Sequence, residues 1–88
     1  MVQFDNEVRM TGVVYTEPVF SVRSTSFGFE PGTNCLIPVV ARGSANSTAQ
    51  KLNVHDNIRI VGHMEAYIAS TGHTIITVIA DSITILNN

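Results

Sequence analysis

The sequence predicts an all-β barrel of five strands, with one short helix between the third and fourth. Two observations carry this. Apolar and polar residues alternate with period two in long stretches near both ends of the 88-residue chain, and only one segment, 44–52, has apolar residues at helical spacing. Strands dominate, and what interrupts them is turn chemistry rather than further helices.

The first strand is "NEVRMTGVVY". Val8, Met10, Gly12 and Val14 share one face, and Arg9, Thr11, Val13 and Tyr15 the other, the signature of a half-buried strand. Gly12 in the middle predicts a bulge or a sharp bend. "TEP" at 16–18 ends the strand, and "VFSVRSTSF" at 19–27 reads as the second, rich in β-branched and aromatic residues. "GFEPGT" at 28–33 reads as a loop turning on Pro31-Gly32, a type II pair. "NCLIPVVARG" at 34–43 is the third strand. In the helix that follows, Ser44 is the expected cap, Ala45, Ala49 and Leu52 form a short apolar stripe, and Asn53 suits a left-handed C-terminal residue. The fourth strand places Ile58, Ile60, Gly62, Met64, Ala66 and Ile68 on one face against Arg59, Val61, His63, Glu65 and Tyr67 on the other. "STG" at 70–72 turns the chain into a long last strand, "HTIITVIADSITIL". This layout is that of the OB-fold, a partly open Greek-key barrel. A five-stranded sandwich would leave long edges unpaired.

Composition limits the rest. The chain is one domain, residues 1–88, and at 44% apolar and 14% charged it is too hydrophobic to stay disordered. A domain this small buries only about 60–65% of its unfolded surface, so a homodimer or higher oligomer is expected to supplement a thin core. The net charge is −2, with five basic residues: Arg9, Arg23, Arg42, Lys51 and Arg59. That argues against very tight nucleic-acid binding while leaving room for a local positive strip. The lone Cys35 permits no internal disulfide, favours a reducing compartment and reads as a small buried apolar residue. The first eight residues have no basic, apolar leader pattern, and no stretch reaches the roughly 18 apolar residues of a membrane span, so a cytoplasmic protein is expected. "NST" at 46–48 is then a coincidental sequon. His55, His63 and His73 lack metal-ligand spacing. The carboxylates are scattered, and no nucleophile or phosphate-loop motif occurs. Neither an enzyme nor a cofactor is expected.

From "CLIPVVARG" through the Ala49/Leu52 helix, Asp56, "IRIVGHM" and "VIADSITIL", the chain resembles bacterial single-stranded-DNA-binding proteins. It resembles primosomal replication protein N, the small member of that superfamily, at least as closely. "NEVRMTGVV" is similar to the family's opening strand, and Pro18 falls where proline is frequent there. The resemblance covers residues 6–86. Its departures are specific. Cys35 and Ala41 stand where the family has stacking aromatics, "VHD" keeps only Asp56 of a lysine-glycine-aspartate turn, and "ASTGHT" lacks loop lysines. No Gly/Pro-rich acidic tail follows, in which the chain is similar to the primosomal proteins.

The resemblance implies single-stranded DNA binding in replication, replication restart or recombination, near the nucleoid and with replication or primosome partners. Phe27 falls near a stacking position of the family, with Phe29 beside it in the predicted loop. Tyr15 and Tyr67 are further stacking candidates, and Arg9, Arg23, Arg42 and Arg59 would follow phosphates. Phe20 is expected in the core. RNA is the alternative nucleic-acid ligand. The rival reading is an OB-fold protein–protein module, an accessory subunit with weak or no nucleic-acid binding, which the low charge and the missing stacking pair favour.

Overall fold

A computed structural model describes residues 5–87. The strands are β1 (Val8–Val14), β2 (Val19–Phe20), β3 (Ser24–Gly32), β4 (Cys35–Arg42), β5 (Asn57–Ile68) and β6 (Thr74–Ile85), with helix α1 (Ser44–Ala49) between β4 and β5. The sheet runs β1-β5-β6-β4-β3-β2 and is closed by a β1–β3 pairing. All ladders are antiparallel except β4–β6. Since β2 is a two-residue ribbon on β3, the closed part is a five-stranded barrel with the helix between its third and fourth strands, the expected OB-fold. Among the described residues no helix is long and apolar enough to cross a membrane.

Inward phases fill the barrel. Val14 of β1, Phe29 of β3, Val39 and Ala41 of β4, and Ile58 and Ile60 of β5 are all fully buried. Ala45, Ala49 and Leu52 join this cluster from α1 and the turn after it, so the predicted stripe plugs the barrel. Thr25 is the one buried polar residue among those described, and its hydroxyl donates to Asn46 Oδ1 of α1 at 2.6 Å.

Two glycines allow the barrel to close. β1 leaves β5 and meets β3 through Val13↔Glu30 and Val14↔Phe29, and a Cβ on Gly12 would strike the Glu30 carbonyl oxygen. On β5, Val61 pairs with Ser82 and Gly62 with Ala80, leaving Asp81 as the extra residue of a bulge. A Cβ on Gly62 would strike the Ile79 carbonyl oxygen.

Several expectations need correction. The second strand does not run through 19–27. A tight turn, with the Ser21 N–H donating to the Ser24 carbonyl at 2.8 Å, splits it into β2 and β3. Residues 28–32 are strand rather than loop, because Thr25, Phe27 and Phe29 continue one inward alternation against β4. The connection to β4 is therefore the pair Thr33-Asn34, with Asn34 at φ 59°, while Gly32 already pairs with Cys35.

The helix is shorter than 44–52 and carries no side-chain cap. Gly43 precedes it at φ 62°, and the Ser44 hydroxyl reaches the Asp81 carbonyl instead. The left-handed residue after it is His55, at φ 79°, not Asn53. Asn53 closes a turn with Asp56, whose side chain accepts from the Asn53 N–H at 2.8 Å. Cys35 is exposed, at the rim where β4 begins, rather than buried. Finally, Met64, Ala66 and Ile68 keep the inward alternation but are exposed. The β1 ladder stops at Val8↔Gly62 and the β4 ladder at Val39↔Val78, so from His63 to Thr77 the β5–β6 hairpin is an arm with no barrel beneath it.

Candidate nucleic-acid interface

The outward face of β3 and β4 carries a groove of about 390 Å³, walled on one side by the segment after β1. Tyr15, Thr16, Glu17 and Val19 form that wall, Ser26, Phe27 and Gly28 the floor, and Leu36, Ile37 and Pro38 the far side. The wall is fixed by two hydrogen bonds to one residue. The Tyr15 N–H donates to the Gly28 carbonyl at 2.7 Å, and the Gly28 N–H donates to Thr16 Oγ1 at 2.7 Å. Tyr15 thus stands at the rim with half its surface in solvent.

Of the sequence-derived site residues, the groove gathers Tyr15 and Phe27. Phe27 is 4% exposed, a floor residue that is mostly core, and Phe29 is fully buried. Neither offers the stacking face that the sequence predicts for it, since β3 extends through both and turns them inward. Phe20, expected in the core, is instead exposed on β2. Ala41 is fully buried, so this position lines the barrel interior and no groove.

The arginines lie elsewhere. Arg9 and Arg59 share the outer face of the β1–β5 ladder, opposite Val61 and Thr11 respectively. Arg9 is paired with Glu7 at 2.7 Å. Arg23 occupies the β2–β3 turn. Arg42 is paired with Glu65 at 2.9 Å. Tyr67 sits exposed on the arm opposite Ile75. Sequence reasoning missed Val19, Leu36 and Pro38 as groove residues. Their signal was the outward phase of "CLIPVV", where Leu36 and Pro38 alternate with buried Val39.

One charged chain links β4, β5 and β6. Glu65 takes Arg42 on one side and His63 Nε2 at 2.9 Å on the other, while His63 Nδ1 meets Asp81 Oδ2 at 2.7 Å. Both ring nitrogens face carboxylates, an arrangement that requires the imidazolium form to donate twice. Its hydrogen bonds to Glu65 and then Asp81 raise the His63 pKa above the ordinary 6.5. Hydrogen bonds from His63 and then Arg42 lower that of Glu65. The stabilising contribution of His63 is therefore full below pH 6.5 and is lost as pH rises through the raised value. Glu65 acts oppositely, contributing above its ordinary 4.5 and losing that contribution as pH falls through its lowered pKa. A proton NMR titration should find His63 titrating above 6.5 in the folded protein and moving back toward 6.5 in Glu65→Gln. A wild-type midpoint at or below 6.5 would refute the bridge. Among the described residues no group of three or more His, Cys, Asp or Glu is placed to hold a metal ion.

No protein-family model matches this chain, and no curated protein matches it. Solved structures do. A small single-stranded DNA-binding protein from Streptomyces coelicolor aligns with TM-score 0.73 at 18% identity, over 94% of this chain and 95% of that one. The Plasmodium falciparum SSB in complex with ssDNA aligns with TM-score 0.76 at 16% identity, over 99% of both chains. OBody NL8, bound to hen egg-white lysozyme, aligns with TM-score 0.74 at 19% identity, over 96% of this chain and 97% of that one. At these identities the likeness is one of fold.

Proposed function

We propose that this OB-fold domain binds single-stranded DNA in replication, replication restart or recombination, as a cytoplasmic, nucleoid-associated protein. The observation that carries this reading is the open groove with an exposed tyrosine on the outward face of β3 and β4. That is the face on which OB-folds take oligonucleotides. The names of the Streptomyces and Plasmodium proteins support it. In this mechanism a base stacks on Tyr15 and lies against Leu36 and Pro38, Thr16 and Ser26 offer hydroxyls, and Arg23 in the adjoining turn meets a phosphate. Binding is non-covalent and nearly indifferent to sequence. A primosomal role is the finer form of the same reading.

Fluorescence anisotropy with labelled oligo-dT of about 35 nucleotides tests it, because stacking tolerates any base. Micromolar binding at low salt is expected, stronger than to duplex, with a shallow salt slope of about −0.7 per neutralised phosphate. Tyr15→Ala should weaken it by about 1–3 kcal/mol, roughly 5- to 150-fold. No binding at low salt, or an unaffected Tyr15→Ala, would refute the reading, and oligo-U in competition decides between DNA and RNA.

One observation favours a second reading. The groove lining holds no Arg or Lys and one acid, Glu17. A groove of that composition also suits an apolar segment of a protein partner, and the lysozyme-bound OBody has this fold. Arg23→Glu discriminates the two, since it should abolish DNA binding while leaving partner docking largely intact.

A further inference from the structure

The groove on β3 and β4 has one charged side chain in its lining, and that charge has the wrong sign for a phosphate. Glu17 is exposed on the wall beside Tyr15, and among the described residues no ion pair takes its carboxylate. An unneutralised acid in a site for a polyanion weakens backbone binding. It gains something only if it meets hydrogen-bond donors on the bases.

The chain on both sides of Glu17 is fixed. Tyr15 and Thr16 are pinned to Gly28 by two hydrogen bonds of 2.7 Å, and Val19 pairs with Ser26. Pro18 between them has a locked φ and restricts the residue before it. The acceptor therefore stands in place before a ligand arrives, which lowers the ordering cost of binding. Glu17 also lies close to the ring at Tyr15, since two residues span at most about 7 Å of chain.

The other polar groups of the lining are hydroxyls with hydrogens to give. Thr16 Oγ1 accepts the Gly28 N–H and keeps its own hydrogen for a ligand. Ser26 presents a second hydroxyl on the floor. The groove thus sets a two-oxygen acceptor beside hydroxyl donors.

Unstacked bases offer their Watson–Crick edges to such groups. Guanine presents the O6 acceptor, then N1–H and N2–H, and is the only one of the four bases with two neighbouring donors on that edge. Thymine flanks its N3–H with two carbonyl oxygens. Cytosine and adenine each set an amino group beside the lone pair of a ring nitrogen. A carboxylate facing any of these three meets an acceptor that repels it.

We propose that the groove selects guanine for the one nucleotide it seats. Tyr15 stacks on the base, Glu17 accepts N1–H and N2–H as two parallel charge-assisted bonds, and the hydroxyl of Thr16 or Ser26 donates to O6. The inference rests on the single-strand reading above and adds a preference at one position to stacking that tolerates any base. Glu17 is then a specificity-determining residue.

Anisotropy titrations with three labelled single strands of about 12 nucleotides, within the span of one OB-fold site, test this. They are alternating thymine–guanine, alternating thymine–inosine, and oligo-dT. Inosine is guanine without the N2 amino group, so it stacks as a purine but gives the carboxylate one donor in place of two. The wild type should bind the guanine strand about 5- to 10-fold tighter than the inosine strand, the low end for a bidentate pair because the groove is open to water. Glu17→Ala should bind those two strands alike, and oligo-dT as well as the wild type does or better, since a negative charge is gone. Its circular dichroism should be unchanged because the position is exposed. Glu17→Gln, which keeps one of the two acceptor oxygens, should lose the preference as well.

Equal binding of the guanine and inosine strands by the wild type, or a guanine preference that survives in Glu17→Ala, would overturn the inference and leave single-strand binding standing. So would a Glu17→Ala protein that loses affinity for all three strands equally, because that is the mark of a structural role. Failure of the wild type to bind any of the three would overturn the single-strand reading and the guanine site together.

Discussion

Replacing Phe29 with alanine should cost about 3–5 kcal/mol of unfolding stability and leave this small domain close to unfolding at room temperature. Phe29 is the largest of the fully buried side chains. It reaches the interior from β3, opposite Val14 across the β1 closure and Ile37 across the β4 ladder. Truncation removes the ring's transfer free energy and leaves a cavity at the point where β1 seals the barrel, and backbone pairing there limits collapse. A domain of this size has only about 5–15 kcal/mol in hand, so urea denaturation followed by circular dichroism should show a large fall in midpoint. Phe27→Ala should show a similar loss, since that ring belongs to the same buried cluster. If Phe29→Ala kept its midpoint and lost DNA binding, the ring would be a stacking platform and the burial described above would be wrong.

That contrast also marks what the sequence could show. Strict alternation in β1 and in the first half of β5 was enough to place Val14, Ile58 and Ile60 inside, because those stretches contain little that competes with the pattern. Ala45, Ala49 and Leu52 were legible as a helical stripe for the same reason. In 28–32, Gly-Phe-Glu-Pro-Gly carries strong turn punctuation, and only pairing with β4 and β1 overrides it. The pattern therefore puts Phe29 in a loop and Phe27 at a strand end with a stacking role, whereas both belong to the core. The arm failed in the opposite sense. Alternation says that Met64 and Ile68 share a face, but whether anything lies beneath that face depends on where the flanking ladders end. Those end points are set by barrel closure, not by local pattern. The ion pairs were equally hidden, since Arg42 and Glu65 are 23 residues apart and meet only because β4 and β5 flank β6. The groove was half legible: Tyr15 was visible as an outward aromatic, whereas Leu36 and Pro38 became groove residues only once the chain after β1 was seen pinned to Gly28.

Gly62→Ala should destabilise the protein by about 3 kcal/mol, although it adds a single methyl group to a strand. The obstacle is backbone rather than a side chain that can turn away, because the new Cβ would enter the Ile79 carbonyl oxygen, with the Ile79 carbonyl carbon at 2.9 Å and Ala80 Cα at 3.1 Å. Relief requires β5 and β6 to separate at the bulge. The bulge is also what carries Asp81 out of register and toward His63 at 2.7 Å. One substitution should therefore move two readouts: a lower urea midpoint, and a His63 titration shifted back toward 6.5 as its second carboxylate withdraws. Gly32→Ala is the control, since a Cβ there meets nothing within 4 Å and the residue has no left-handed φ. That change should be neutral or stabilising by about 0.4–1 kcal/mol, through loss of unfolded-chain entropy. A Gly62→Ala protein as stable as wild type, with His63 titrating unchanged, would mean that the strands accommodate a side chain at the bulge and that close approach does not require glycine there.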